Sequence, residues 1–203
     1  MVSTLQHADW TAAAVFLLII LGFAGAARRG WQAPDALYRH YQTNRAKTKA
    51  SIDTDHILPE LARLVADVNS DVSATLRAAK SLTLQTLREA LTNDQALIDN
   101  LQWAGYRDRL DPLSQLYGDY GLLDRLYDSA VTWARRGALC SGVAALALLV
   151  VSIPVVFSNI SVPDLALNGA TGLLVVSATG WAIGLVLEMG QRNRLGRLFR
   201  KYE

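Results

Sequence analysis

The sequence GALCSGVAALALLVVSIPVVF, residues 137–157, contains no charged side chain and is the stretch that decides the fold class of this protein. A helix rises about 1.5 Å per residue, so roughly 20 residues cross a hydrocarbon core of about 30 Å. A second apolar stretch, LALNGATGLLVVSATGWAIGLVL, follows at residues 165–187 and is closed by Glu188. We therefore predict membrane-spanning helices over residues 137–157 and 165–188.

A third apolar stretch, WTAAAVFLLIILGFAGAA, lies near the start of the chain at residues 10–27. It is at the short end for a span, but Trp10 and the pair Arg28-Arg29 flank it as interface residues do. A secretory signal peptide would need basic residues before the apolar stretch, and none is present. The sequence thus predicts an all-α integral membrane protein with three transmembrane helices.

The distribution of Lys and Arg predicts the orientation of these spans. Of the 20 basic residues, fifteen lie in the region 28–136 and five lie in the tail 189–203. None lies in the N-terminal segment 1–9 or in the connector 158–164. Because cytoplasmic loops carry the excess of Lys and Arg, we expect an external N-terminus and connector, and a cytoplasmic central region and tail, in a plasma or inner membrane.

The central region 28–136 carries helical periodicity along most of its length. Apolar residues recur at spacings of three or four, which is typical of amphipathic helices; they include Leu58, Leu61, Val65, Val68, Leu84, Leu87, Leu91, Leu97, Leu101, Leu113, Tyr117, Tyr120 and Leu123. Two arrangements fit: an antiparallel hairpin of arms 55–91 and 95–136 turning near Asn93, or a bundle of four shorter helices. Strict heptads are absent, so no regular coiled coil is predicted.

The end of the central region connects to the second span. Pro112, after Asp111, is well placed as the first residue of a helix. No breaker follows it before residue 137, so we expect this helix to continue directly into the membrane.

Two sets of apolar or small residues are candidates for helix contacts. Small residues four apart let helix backbones approach closely in membranes, and the candidates for packing are Gly22, Ala26, Ala138, Gly142, Gly180 and Gly184. The leucines around the predicted turn are candidates for partner binding: Leu84, Leu87, Leu91, Leu97 and Leu101.

Basic residues next to the spans are candidates for contact with anionic lipid headgroups. They flank the first span or lie in the tail: Arg28, Arg29, Arg45, Lys47, Lys49, Arg192, Arg194, Arg197, Arg200 and Lys201. In the tail they alternate with apolar residues, as in an interfacial helix. Ordinary positive-inside anchoring without lipid specificity is the alternative.

No pattern of catalytic, cofactor-binding or metal-ligating residues is recognisable in the sequence. The three histidines are scattered, and the single Cys140 has no partner cysteine. In the central region 14 acidic residues nearly balance the 15 basic ones, which disfavours a nucleic-acid surface. We therefore predict a protein that is not an enzyme and needs no cofactor or metal.

The function predicted from these features is a membrane-anchored interaction or scaffold protein, whose cytoplasmic helices bind a protein partner or self-associate as a homo-oligomer. Membrane insertases of the Oxa-type superfamily resemble it in topology alone, which leaves an insertase-like component as an alternative. Channel subunits of the stator type share the order of spans and are a second alternative. Glu188 is the one ionisable candidate in the spans for ion conduction.

Overall fold

The computed structural model of the protein describes residues 10–32, 39–70, 83–93, 95–157 and 160–203. Every secondary-structure element in these residues is helical, which confirms the all-α prediction. Two of the elements are π-helical segments, Ile52–Ile57 and Gln102–Tyr106. The α-helices, in chain order, are α1 (Trp10–Gln32), α2 (Arg39–Ser51), α3 (Leu58–Ser70), α4 (Leu84–Asn93), α5 (Gln95–Leu101), α6 (Arg107–Val156) and α7 (Asp164–Lys201).

Three of these helices, α1, α6 and α7, are long and apolar enough to cross a membrane, as the sequence predicts. Helix α1 extends beyond the predicted end of the first span, through Arg28 and Arg29 to Gln32. Its 23 residues correspond to about 34 Å, of which the apolar stretch 10–27 accounts for about 27 Å. Trp10 and Trp31, near its two ends, are each 64% exposed, as expected for aromatic side chains at membrane interfaces.

Helix α6 is continuous over 50 residues, as the absence of a breaker predicts. Its start differs from the prediction, because the helix begins at Arg107 rather than at Pro112. The chain turns instead at Gly105, whose φ of 94° is a left-handed conformation that glycine adopts without steric cost. Pro112 is therefore inside the helix, where its missing N–H removes one backbone hydrogen bond.

The chain divides into two compact units. The span unit comprises the described residues of 1–41 and 126–194, and the head unit comprises those of 42–125 and 195–203. Helices α6 and α7 each contribute one part to each unit.

Small residues bring the helices of the span unit together. A methyl group added to Gly30 of α1 would lie 2.8 Å from the carbonyl oxygen of Ala134 and 2.8 Å from the Cβ of Ala138, both on α6. Farther along the same helix contact, the hydroxyl of Ser141 on α6 donates a hydrogen bond of 2.5 Å to the carbonyl oxygen of Phe23 on α1. Helices α1 and α6 are therefore in backbone-to-backbone contact.

Helix α7 packs on a different face of α6. A methyl group added to Gly184 would lie 3.2 Å from the Cα of Gly137, and one added to Gly180 would lie 3.0 Å from the sulfur of Cys140. The rings of Phe23 and Trp181 meet edge to face with centroids 5.5 Å apart, which joins α1 to α7. Each pair of span helices thus has a defined contact.

Leucine, isoleucine and valine side chains form the core of the head unit. On α3 the buried positions are Leu61, Leu64 and Val68, whereas Leu58 of the predicted stripe is 37% exposed. Helix α7 adds two buried side chains at its end, Leu195 and Phe199. The sequence pattern therefore predicts the helix and two of its buried positions, Leu61 and Val68, but does not include Leu64.

Among the described residues, the head unit contains the short helices α3, α4 and α5 and the first part of the long helix α6. Helix α3 ends at Ser70 and α4 begins at Leu84, and the part of the predicted outgoing arm between them, residues 71–82, lies outside the described residues. The return is divided by the π-helical segment Gln102–Tyr106. The predicted turn near Asn93 coincides with the end of α4.

Replacing Gly30 with alanine is expected to destabilise the span unit by about 1–3 kcal/mol, because the new Cβ overlaps backbone atoms of α6 that have no room to move. The measurement is thermal unfolding of the full chain in detergent micelles. Gly25→Ala is the matched control on the same helix, because no neighbouring atom lies within 4 Å of that position. Equal melting temperatures for the two variants would contradict the observed α1–α6 contact.

Candidate functional site

The head unit contains a cleft of about 670 Å³, which we call the tyrosine cleft. Its volume is in the range of small-ligand and side-chain pockets. The cleft is lined by residues of the first π-helical segment, α4 and α6: Asp53, Ile57, Arg88, Glu89, Leu91, Tyr117, Gly118, Tyr120 and Gly121.

Helical spacing explains how these residues converge. Tyr117 and Tyr120 are three residues apart on α6, and so are Gly118 and Gly121, so each pair shares one face of the helix. A methyl group on Gly118 would meet no atom within 4 Å, so this glycine leaves the wall open beside the tyrosine rings, whereas one on Gly121 would lie 3.7 Å from Nη2 of Arg125. The buried side chain of Ile57 contributes an apolar surface from the π-helical segment.

Two lining residues of the tyrosine cleft, Arg88 and Asp53, form an ion pair. The Arg88 guanidinium donates to the carboxylate of Asp53 at 2.7 Å, and the two residues are 35 positions apart in the chain. This hydrogen bond raises the pKa of Arg88 above its ordinary value, although burial opposes the rise. The third charged residue of the lining, Glu89, accepts a hydrogen bond from the side-chain amide of Gln85 at 3.1 Å.

The hydroxyl oxygen of Tyr117 is buried and makes no hydrogen bond of good geometry, although the Arg88 side chain is close enough to interact with it. Burial raises the pKa of this phenol, and the positive charge of Arg88 partly offsets the rise. Arg88 therefore connects Tyr117 to the ion pair with Asp53.

Charged side chains of α2 contact Tyr120 and its neighbour Asp124 on α6. The ammonium of Lys49 lies 4.1 Å from the centroid of the Tyr120 ring and 2.6 Å from the carboxylate of Asp124. Arg45 also reaches Asp124, at 3.5 Å. These contacts join α2 to α6 and restrict the orientation of the Tyr120 ring.

A second cavity of about 500 Å³ in the head unit involves the end of helix α7, and we call it the tail pocket. Acidic and basic side chains alternate around it; the lining residues are Asp55, His56, Pro59, Glu60, Arg63, Asp108, Arg109, Pro112, Gln115, Leu116, Lys201 and Tyr202. Several of these charges are already in ion pairs, such as Arg63 with Glu60 at 2.7 Å. The described residues contain no group of three side chains placed to hold a metal ion.

The end of helix α7 is bound to α6 through one carboxylate. Asp119 accepts hydrogen bonds from the Lys201 ammonium and the Tyr202 hydroxyl, both at 2.6 Å. The Ser51 hydroxyl donates to the backbone carbonyl of Tyr202 at 3.3 Å, and the rings of His56 and Tyr202 meet edge to face at 5.4 Å. Burial alone would raise the pKa of Asp119, but the two hydrogen bonds outweigh it and lower that pKa.

The leucines predicted to bind a partner are distributed between the core and the surface. Leu87 and Leu101 are fully buried, Leu91 and Leu97 are half-buried, and Leu84 is 42% exposed. Leu91 lines the tyrosine cleft. The structure therefore brings one of the five to the candidate site and places two others in the core.

The predicted helix-packing residues also differ in their surroundings. Ala138 contacts α1 at Gly30, Gly142 faces Ala27, and Gly180 and Gly184 face α6. A methyl group added to Gly22 would meet no neighbouring atom within 4 Å. This position of the Gly22-x-x-x-Ala26 pattern therefore does not face another helix.

The basic residues predicted to face lipid separate into exposed and paired groups. Three paired ones lie in the head, where Arg45 and Lys49 contact Asp124 and Lys201 contacts Asp119. In the span unit, Arg192 lies 3.6 Å from Glu188, and its guanidinium donates to the Tyr41 hydroxyl at 3.5 Å. The exposed members are Arg28, Arg29, Lys47, Arg194, Arg197 and Arg200.

Sequence reasoning did not single out Asp53, Arg88 or Glu89, and it treated Tyr117 and Tyr120 only as members of an apolar stripe. The repeated Tyr-Gly pairs at 117–118 and 120–121 were the available signal, because glycine beside an aromatic residue in a helix opens space next to the ring. No protein-family model, curated protein or solved structure matches the chain. The geometry of the site is therefore the basis for the functional assignment.

Replacing Asp119 with asparagine is expected to destabilise the head unit by about 1 kcal/mol at neutral pH, because Lys201 and Tyr202 lose a charged acceptor. Folding lowers the pKa of Asp119 below its unfolded value of about 3.9. The carboxylate therefore contributes stability above that pH, and the contribution disappears as the pH falls through the folded-state pKa.

The measurement is chemical unfolding of wild type and variant as a function of pH. The difference in stability between them should be constant near neutral pH and should vanish in acid. Asp111→Asn, at an exposed carboxylate on the same helix, is the control and should change little. A difference that persists unchanged in acid would show that Asp119 acts through packing rather than charge.

Replacing Tyr117 with phenylalanine is expected to stabilise the protein by about 1 kcal/mol, because the substitution removes a buried hydroxyl that makes no hydrogen bond of good geometry. Thermal unfolding measures the change, with Tyr120→Phe in the same cleft as the control. A lower melting temperature for Tyr117→Phe would mean that the hydroxyl is hydrogen-bonded in the native protein.

Proposed function

We propose that this protein is a non-enzymatic, membrane-anchored interaction protein whose head unit binds a protein segment in the tyrosine cleft. Three candidate spans hold the chain in a membrane. The distribution of Lys and Arg supports a cytoplasmic head in a plasma or inner membrane. The observation that carries the proposal is the cleft itself, which joins two tyrosine rings to an apolar wall formed by Ile57 and Leu91.

The chemistry of the lining supports recognition rather than catalysis. Arg88 and Asp53 are bound to each other, so neither is poised to exchange a proton with a substrate. Tyrosine rings give large contact area at low conformational cost, and they are enriched where proteins bind proteins.

The hydrogen bonds within the span unit support a role as a membrane anchor rather than as an insertase with a polar groove. Hydroxyl groups in the spans donate to backbone carbonyls, Ser177 to Leu173 at 2.6 Å and Thr171 to Leu167 at 2.8 Å. These intrahelical bonds are the usual way to satisfy hydroxyls in a bilayer. Glu188 is paired with Arg192, so its contact supports an interface ion pair rather than an ion-carrying group.

A photo-reactive amino acid at Glu89 tests this function in cells, because Glu89 is exposed and lies on the rim of the cleft. We expect irradiation of the full chain to give a discrete adduct with a protein. Gly196, also in the head unit and with no atom within 4 Å, is the control position and should give none. The substitution Gly118→Trp, which fills the cleft, should suppress the Glu89 adduct, whereas Gly196→Trp should not.

The absence of a protein adduct at Glu89, together with a strictly monomeric protein in detergent, would refute the proposal. An adduct that persists after Gly118→Trp would place the interaction elsewhere on the head.

A further inference from the structure

Four arginine side chains lie where the apolar stretches 10–27 and 137–157 end, and we call them the arginine belt. They are Arg28 and Arg29 of α1 and Arg135 and Arg136 of α6, and all four are exposed. The two stretches carry no charge, so the belt contains the first charged residues beyond each of them at this end. The belt therefore marks the edge of the apolar part of both helices.

The contact between α1 and α6 places the four arginines at one level of the span unit. A methyl group on Gly30 would lie 2.8 Å from the carbonyl oxygen of Ala134 and 2.8 Å from the Cβ of Ala138. The belt residues of α1 immediately precede Gly30, and those of α6 lie between the two alanines. Because a helix rises about 1.5 Å per residue, all four arginines are within about one helical turn of this contact.

None of the ion pairs between described residues includes an arginine of the belt. The acidic residue that precedes the belt on α6 is Asp128, seven residues before Arg135, which is about 10 Å along the helix axis. On α7 the side chain of Glu188 is 14% exposed and pairs with Arg192 at 3.6 Å. The belt therefore presents four positive charges that described carboxylates do not bind.

Two tryptophans accompany the belt, one on each of its helices. Trp31 follows the belt residues of α1 and is 64% exposed. On α6 the guanidinium of Arg136 lies 5.0 Å from the centroid of the Trp133 ring, a cation–π contact. Tryptophan is enriched at the level of the lipid headgroups, so these two residues support the same level for the belt.

We propose that the arginine belt binds the phosphate groups of anionic lipid headgroups, so that the protein prefers anionic to zwitterionic lipid. A guanidinium can donate two parallel hydrogen bonds to one phosphate. Each basic residue near a membrane surface adds attraction for anionic lipid. A zwitterionic headgroup offers the same phosphate but also carries a cation, which the belt repels. This lipid site goes beyond the proposed function and does not depend on the tyrosine cleft.

The belt differs from the set of basic residues that the sequence predicts to face lipid. Arg135 and Arg136 were not predicted, because only the contact with α1 shows that they lie at the edge of a span. In the tail, alternating basic and apolar residues predicted an interfacial helix, but Leu195 and Phe199 are buried in the head unit. Their burial removes the apolar face that such a helix would insert into lipid.

The test measures the lipid preference of the full chain, purified in a non-ionic detergent and incubated with an equimolar mixture of phosphatidylglycerol and phosphatidylcholine. Native mass spectrometry gives the ratio of the two lipids that the protein retains. Wild type is expected to retain phosphatidylglycerol in preference. The double variants Arg28→Gln with Arg29→Gln, and Arg135→Gln with Arg136→Gln, should each lower this ratio by about tenfold.

The matched control is Lys47→Gln with Arg197→Gln, which removes the same charge from exposed residues of the head unit and should leave the ratio unchanged. Arg135→Lys with Arg136→Lys keeps the charge but not the paired hydrogen bonds, so it should lower the ratio less than the glutamine variant does. Because the belt side chains are exposed, the unfolding temperature in detergent alone should change little in any variant.

Equal retention of the two lipids by wild type would overturn the proposal, and so would a ratio that neither glutamine variant lowers. An equal loss in the Lys47 and Arg197 control would show that total charge, rather than the belt, attracts the lipid. Displacement of phosphatidylglycerol by inorganic phosphate at equal concentration would show that the belt binds a free anion instead of a lipid.

Discussion

Helix α6 is the element on which both units of the protein depend, because each unit packs its other helices against one part of it. In the span unit, Gly30 of α1 packs against Ala134 and Ala138 of α6, and Gly184 of α7 packs against Gly137 of α6. Side chains this small let backbones approach where a bilayer supplies no hydrophobic drive between helices. In the head unit, Asp119 and Asp124 of the same helix bind Lys201 and Lys49.

The two parts of α6 use different forces. In the span unit, contacts are made by alanine, glycine and serine, including the hydrogen bond from Ser141 to the Phe23 carbonyl. In the head unit, buried leucines provide the core, and charged pairs between residues distant in sequence select which helices pair. Arg88 with Asp53 joins α4 to the π-helical segment, and Lys201 with Asp119 joins the end of α7 to α6. Hydrophobic burial suffices to collapse these helices in water, and the charged pairs add specificity.

The cleft proposed to bind a protein segment is a place at which local packing is incomplete. Gly118 leaves space beside the tyrosine rings, and the cleft that these rings line is open among the described residues. Natural sequences are locally consistent except where function requires otherwise, so this incomplete packing supports a role in binding.

The sequence by itself determined the helical class and the three apolar stretches, because a span needs only length and the absence of charge, and both are local properties. It also predicted the continuity of α6, since no breaker separates residue 112 from the second span. The ends of the helices were harder to predict. Helix α1 continues past Arg28 and Arg29, and α6 begins at Arg107 because the chain turns at Gly105.

Only the tertiary structure decided which residues share a site. Asp53, Arg88 and Tyr117 come from three separate helical segments, and no local spacing relates them. The same holds for Gly22 and Gly30, which are alike in sequence terms but differ in whether another helix lies within 4 Å. A periodic pattern specifies one face of one helix, whereas a cleft and a close contact depend on which faces meet.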